Sequence, residues 1–260
     1  MVKGKIWYHV EFIIRGDVMF EQIAQLIKTS NHVVVFTGAG MSTESGIPDF
    51  RGAKGIWKDK NPAKLASTFA LRWNKKEFYE FYKLRIQHLL EAAPHNGHAL
   101  LAQWEQNNWI KHIITQNVDG FHQEAGSAHV SELHGTISSL HCIKCKKAYP
   151  ANVYLQENGN KCSCKGFIRP NVVLFGESLP KEAVEKAEEQ TLLADCFIVL
   201  GSSLQVSPAN KYPKEAQQNG AKLILINQDP TIMDHYFDHV VNDVSIGEAL
   251  TIIDSYLKKA

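Results

Sequence analysis

The sequence predicts an α/β fold, a doubly wound parallel sheet carrying a smaller inserted unit, and three observations predict it. Short apolar runs alternate with longer stretches of helical periodicity, the pattern of parallel strands joined by crossover helices. The first run, His32 to Phe36 (HVVVF), leads into Gly38-Ala39-Gly40, as a buried strand does before a phosphate-cradling turn. Between about Ser139 and Arg169 the alternation stops, and a polar, Lys-rich segment with four cysteines takes over.

Met19 opens an amphipathic helix, Phe20 to Lys28 (FEQIAQLIK), ahead of the first strand. The preceding residues, MVKGKIWYHVEFIIRGDV, have neither helical periodicity nor an obvious strand partner. Met19 is therefore expected to be the natural start and residues 1–18 an upstream extension, with a genuine N-terminal arm as the alternative. Helices are expected at Lys75 to Ala92 and Gly97 to Asn107, then a strand at Trp109 to Thr115 (WIKHIIT). Past the cysteines come a helix at Pro180 to Leu193, a strand at Cys196 to Leu200 (CFIVL), a helix at Pro208 to Asn219, a strand at Lys222 to Ile226 (KLILI) and a helix at Ile246 to Leu257. The expected organisation is one domain over 19–260. Its Rossmann-like part takes about 19–52, 95–136 and 170–260, and its small zinc-binding and helical unit about 53–94 and 137–169.

With 260 residues and 44% hydrophobic content the chain can bury a real core. Its 28 Lys+Arg balance 27 Asp+Glu, so no global basic field exists to hold nucleic acid, and an anionic ligand must be bound locally. No apolar run approaches the roughly 20 residues that span a bilayer, and no signal-peptide pattern opens the sequence. The expectation is a cytoplasmic protein, monomeric, with neither membrane nor nucleic acid among its partners.

The chemistry gathers at four places. Gly38 and Gly40 let backbone approach a pyrophosphate, and Ser42, Thr43 and Ser45 offer hydroxyls near a helix N-terminus. The hydride-transfer fingerprint would need glycine where Thr43 stands and an acid about 20 residues further on, so a dehydrogenase is disfavoured. Gln116, Asn117 and Asp119 follow directly on a strand, where ligands bind in an open parallel sheet; closure of the strand end by Asx turns is the plain alternative. His134, in Glu132-Leu133-His134-Gly135, can serve as a general base near neutral pH. Cys142-x2-Cys145-x16-Cys162-x-Cys164 reads as a closed structural zinc site, its second pair one residue tighter than the commoner spacing. Cys196, inside an apolar strand, reads as core.

GAGMSTESGIPDFRG, TQNVDGFHQEAG, ELHG, the four cysteines, RPNVVLFGE, GSSLQVSP and Asn227 occur in this order and together resemble the sirtuins of bacterial type, NAD-dependent protein-lysine deacylases. The resemblance runs from Met19 to the C-terminus. It implies a loop that holds NAD for cleavage at the nicotinamide bond, with Ala39, Thr43, Phe50 and Arg51 along the site. Gln116, Asn117 and Asp119 would surround the nicotinamide ribose, with Val118 and Asp119 near the carboxamide. Ser202, Ser203, Asn227 and Asp243 would hold the adenosine half. His134 would deprotonate a ribose hydroxyl after the acyl oxygen has attacked the anomeric carbon, giving nicotinamide, O-acyl-ADP-ribose and free lysine. Val172 to Glu177, including Gly176, would form an edge to which an acyl-lysine peptide adds as a strand, with Phe175 flanking the acyl-lysine. Tyr82 and Arg85, three apart on one helical face, are similar to the Tyr-x-x-Arg of succinyl- and malonyl-removing members; the alternative is a solvated Arg85 on an amphipathic helix. Competing readings are an ADP-ribosyltransferase or NAD glycohydrolase, and a non-enzymatic NAD sensor. His134 and the VVLFGE edge, which serve an acyl-lysine peptide, weigh against them.

Overall fold

The computed structural model describes residues 18–49 and 61–259. The expectations for residues 1–17 and for Phe50 and Arg51 lie outside the described residues. Helix α1, residues 18–29, buries Phe20, Ile23, Ala24 and Ile27 at helical spacing against the sheet. Strand β1 (Val33–Thr37) is buried throughout, with Val33 and Val35 facing one apolar layer and Val34 and Phe36 the other. Burial on both faces makes such a strand a continuous apolar run instead of an alternating one. A 3₁₀ turn, Ala39–Ser45, follows it.

The next segments are α2 (Pro62–Leu65), α3 (Thr68–Trp73), α4 (Lys75–Glu91), α5 (Asn96–Gln106), β2 (His112–Thr115), α6 (Phe121–Glu124) and β3 (Val130–Glu132). The cysteine-bearing insert holds β4 (Gly135–Cys142), β5 (Ala148–Pro150) and β6 (Ile168–Val172). Then come α7 (Lys181–Leu193), β7 (Cys196–Leu200), α8 (Tyr212–Gln218), β8 (Lys222–Ile226), β9 (His239–Val241) and α9 (Ile246–Lys258).

The main sheet runs β3-β2-β1-β7-β8-β9, parallel throughout. Strand order reverses between β1 and β7, so the crevice for a ligand opens at their carboxyl ends, beyond Thr37 and Leu200. Helices α1, α5 and α9 cover one face and α7 and α8 the other. A separate antiparallel sheet, β5-β4-β6, shares its apolar cluster with α3 and α4.

Three expectations change in detail. The sheet gains β3 and β9, three-residue edge strands that are only partly buried and so leave no apolar run to read. Strand β2 begins at His112, not Trp109, because the chain turns through Asn108 (φ 62°) and the Trp109 and Ile110 amides donate to Trp104 O at the end of α5. The helix expected over Pro208 to Asn219 splits into a 3₁₀ turn, Ala209–Lys211, and α8.

Candidate active site

A cavity of about 840 Å³ lies over the carboxyl ends of β1, β2, β7 and β8. Gly38, Ala39, Gly40 and Thr43 form one wall, and Gly201, Ser202, Ser203 and Asn227 another. The glycines are required first by the protein itself. A Cβ on Gly38 would stand 2.7 Å from Gly201 O and one on Gly40 2.7 Å from Gly201 Cα, so the two strand-end turns touch backbone to backbone. Gly201 in turn has φ 60° and donates to Ile226 O at 3.0 Å.

The polar cluster after β2 divides, with Gln116 and Asn117 in the cavity lining and Asp119 in a small pocket beside it. Gln116, Asn117 and Val118 line the cavity, and the Gln116 side-chain amide donates to Ser202 Oγ at 2.9 Å, tying the ends of β2 and β7 together. Asn117 is buried: its Nδ2 donates to Ser42 Oγ at 3.1 Å and its backbone N–H to Thr115 Oγ1 at 3.0 Å. Ser42 Oγ donates onward to Asp119 Oδ2 at 2.8 Å, and Asp119 Oδ1 accepts from Phe121 N at 3.1 Å, an Asx-type closure of the turn. Asp119 lines a small adjoining pocket of about 30 Å³, shared with Ala39, Ser42, Asn117, Val118 and Arg85. Burial raises the Asp119 carboxyl above its ordinary range, while the Phe121 amide, Ser42 hydroxyl and Arg85 charge oppose that shift.

His134 also lines the cavity. Its Nδ1 lies 3.0 Å from Gln116 O, and a carbonyl only accepts, so Nδ1 carries the proton and Nε2 is left as the basic nitrogen. Burial, which favours the neutral ring, lowers the His134 pKa, only partly offset by the Gln116 carbonyl.

The third wall is Val172, Phe175, Gly176 and Glu177, continuing to Leu179. Much of this edge is already paired within the protein. Val173 N donates to His134 O, Phe175 N to Ala66 O, and Phe175 O accepts from Thr68 N at 3.1 Å. The Glu177 carboxylate is held by Arg169, at 2.6 and 3.0 Å, and by Leu174 N at 2.9 Å, so it shapes the bend of the chain. Gly176 (φ 93°) turns the chain at this edge, and Gln205 and Val206 also belong to the cavity lining. Phe175 remains 47% exposed at the rim.

Tyr82 and Arg85 both line the cavity from α4. Tyr82 is fully enclosed and burial pushes its phenol up to about 12; Arg85 is half-buried, with its guanidinium carbon 5.7 Å from the Phe81 ring and 6.0 Å from the Tyr82 ring. Asp243 (φ 61°) falls outside the lining, although its neighbours Val244 and Ser245 belong to it. Glu44, Gln205 and Val206 also line the cavity; they lie within the GAGMSTESGIPDFRG and GSSLQVSP motifs, but residue type and spacing alone give none of them a role.

Away from the cavity, Cys142, Cys145, Cys162 and Cys164 bring their sulfurs within 4.8 Å of one another, with Cys142···Cys164 at 3.5 Å and Cys145···Cys162 at 3.6 Å. Four thiolates at about 2.3 Å around zinc stand roughly 3.8 Å apart, so the set fits a closed tetrahedral ion. The tight second pair is accommodated by Lys165 (φ 62°) and Gly166, where a Cβ would come 2.4 Å from Cys142 Sγ.

The Sir2 family model matches residues 38–208. An NAD-dependent protein deacetylase of Oceanobacillus iheyensis is 50% identical over 90% of this chain and 99% of its own length. NAD-dependent protein deacetylase 1 of Geobacillus kaustophilus is 50% identical over 90% of this chain and 97% of its own. Among solved structures, a Sir2 with deacetylated p53 peptide and 3′-O-acetyl ADP ribose superposes with TM-score 0.85 at 37% identity, covering 90% of this chain and 96% of that one. A Sir2 solved with p53 peptide and NAD+ gives TM-score 0.80 at 36% identity, covering 90% and 97%.

Proposed function

The chain belongs to the Sir2 family, and from that premise we propose how its residues carry the family's reaction. It is an NAD-dependent protein deacetylase: acetyl-lysine, NAD and one water are converted to free lysine, nicotinamide and O-acetyl-ADP-ribose. The observation that carries the site assignment is His134 in the cavity lining, its Nδ1 directed at Gln116 O so that Nε2 is left as the basic nitrogen.

Asn117 and Asp119, fixed by Ser42, orient the nicotinamide ribose and carboxamide, beside Ala39 and Val118. Cleaving a bond to a cationic leaving group develops positive charge on the sugar, which prearranged polar groups and exclusion of water favour more than a strong nucleophile does. His134 Nε2 then accepts a ribose hydroxyl proton once the acyl oxygen holds the anomeric carbon. Gly38, Gly40 and Thr43 lie along the diphosphate, and Ser202, Ser203 and Asn227 hold the adenosine half, with Asp243 behind them. The acyl-lysine peptide enters along Val172 to Glu177 and pairs with the backbone groups left open there, since Val173 N, Phe175 N and O, and Glu177 N are already bonded within the protein. Phe50 and Arg51, outside the described residues, are assigned to the cofactor side by their place in the GAGMSTESGIPDFRG motif. The four cysteines would hold zinc, which would supply folding stability instead of chemistry. We assign one catalytic domain to 19–260, its small unit drawn from about 53–94 and 137–169.

The test is product identity. Mass spectrometry of a reaction with acetyl-lysine peptide should give O-acetyl-ADP-ribose, and His134→Tyr should abolish it while ADP-ribose still binds. O-acetyl-ADP-ribose formed by the variant at the wild-type rate would remove His134 from its role. The presence of Arg85 in the cavity favours a second acyl specificity, for succinyl or malonyl groups, through a charge-assisted contact to the distal carboxylate.

A further inference from the structure

Two side chains that touch no reacting atom hold the turn Ala39–Ser45 in place, and each does so through a helix N-terminus. His95 is the N-cap of α5: its Nδ1 accepts from Gly97 N at 3.0 Å. The same ring therefore carries its proton on Nε2, which donates to Met41 O at 2.6 Å, within the turn. Glu44, at the far end of the turn, reaches the first turn of α9, where Oε1 accepts from Gly247 N at 2.7 Å and Oε2 from Ser245 Oγ at 3.0 Å. A carboxylate at a helix N-terminus is favoured by the exposed amides and the helix dipole.

The two contacts meet at one point. A Cβ on Gly247 would fall 2.7 Å from Glu44 Oε2 and 3.2 Å from His95 Nδ1, and one on Gly97 would fall 2.5 Å from His95 Cε1. Both helices thus begin with a glycine where a clamp residue arrives. Ala39, Gly40, Thr43 and Glu44 of the turn line the cavity, as do Ser245 and Ile246 at the start of α9, so the clamp joins two segments of its lining.

We propose that His95 and Glu44 are positioning residues for the dinucleotide: they set the turn Ala39–Ser45 against the starts of α5 and α9 and so fix the distance between the two halves of the NAD site. The proposal rests on the reading of the cavity as the NAD site. A purely structural role for His95 would be that of an N-cap, and asparagine is a good N-cap that is too short to reach Met41 O.

The test measures ADP-ribose binding by calorimetry, together with KM values for NAD and for acetyl-lysine peptide, in wild type, His95→Asn and Glu44→Ala. Loss of one charge-assisted or short hydrogen bond corresponds to about a tenfold change in affinity. His95→Asn is expected to raise the ADP-ribose Kd and the NAD KM about tenfold, and exposed Glu44→Ala about fivefold, with peptide KM within about twofold of wild type. Glu44→Gln, which keeps one acceptor for Gly247 N, should recover part of that loss. ADP-ribose affinity within about twofold of wild type in both variants would overturn the clamp alone, as would a peptide KM that rises in step with that for NAD. Wild-type protein that fails to bind ADP-ribose would overturn the clamp together with the reading of the cavity. If His95→Asn does not fold, the Glu44 pair of variants decides by the same criteria.

Discussion

The parallel sheet and the cysteine-bearing insert solve the problem of burial differently. In the sheet, β1, β7 and the last four residues of β8 are buried completely and the helices seal both faces, so the fold there rests on apolar area removed from water. In the insert, Ile143, Lys144, Cys145, Lys146 and Lys147 are exposed in sequence, β5 is three residues long, and the apolar cluster borrows Phe78, Phe81 and Ile86 from α4. A segment with so little core of its own needs a cross-link, and four converging cysteines would supply one around a zinc ion. The contrast teaches where the protein is self-sufficient and where it depends on a bound ion.

Removing the metal tests that contrast with the largest expected effect. Chelation, or Cys162→Ser, should unfold the insert and abolish peptide-dependent activity, while the sheet keeps a cooperative thermal transition by circular dichroism. One transition lost as a whole would show that the two regions stand or fall together.

Within the sheet, Gly38→Ala should cost about 3 kcal/mol in chemical denaturation, because the new methyl would meet Gly201 O and Ser202 Cα at 2.7 and 2.9 Å and neither backbone can retreat cheaply. The equivalent substitution at Gly220, where nothing lies within 4 Å, removes only the freedom needed at φ 92° and should cost about 1 kcal/mol.

The sheet side also carries an acid-sensitive element. Burial lowers the pKa of His98 to about 2 and of His122 to about 3, and His98 has neither ring nitrogen hydrogen-bonded among the described residues. Folded values below the unfolded one mean that the unfolded chain binds more protons. Stability should therefore be fully present above about pH 6.5 and fall below it by about 1.4 kcal/mol per pH unit for each group, down towards the folded values. Urea titrations at pH 7, 6 and 5 check this, and His98→Phe should flatten the slope by one proton's share.

The last perturbation is Arg85→Met, a half-buried side chain of α4 that lines the cavity. Stability should change by no more than about 1 kcal/mol, while the ratio of succinyl-lysine to acetyl-lysine turnover falls. An unchanged ratio would remove Arg85 from acyl recognition.

Legibility in the sequence followed the same divide. β1, β7 and β8 could be read because strands buried on both faces are uninterrupted apolar runs. β3 and β9 could not, being three-residue edges whose pairing depends on neighbours already in place. His134, Asn117 and the cysteines stood out because their residue types carry chemistry at recognisable spacing. Glu44 to Gly247 spans 203 residues and Arg169 to Glu177 closes a bend, and neither partnership leaves a local mark. The glycine turn was legible as a turn, but its reason was not. Gly38 and Gly40 are small because Gly201 lies against them, a contact that exists only once β1 and β7 are neighbours.

The most direct measurement is the coupling of nicotinamide release to lysine deacetylation. With NAD and an acetyl-lysine peptide, the protein should release one nicotinamide for each lysine freed, and release should collapse without peptide. Nicotinamide release that proceeds equally without peptide would contradict the account and mark the protein as an NAD glycohydrolase or an ADP-ribosyltransferase.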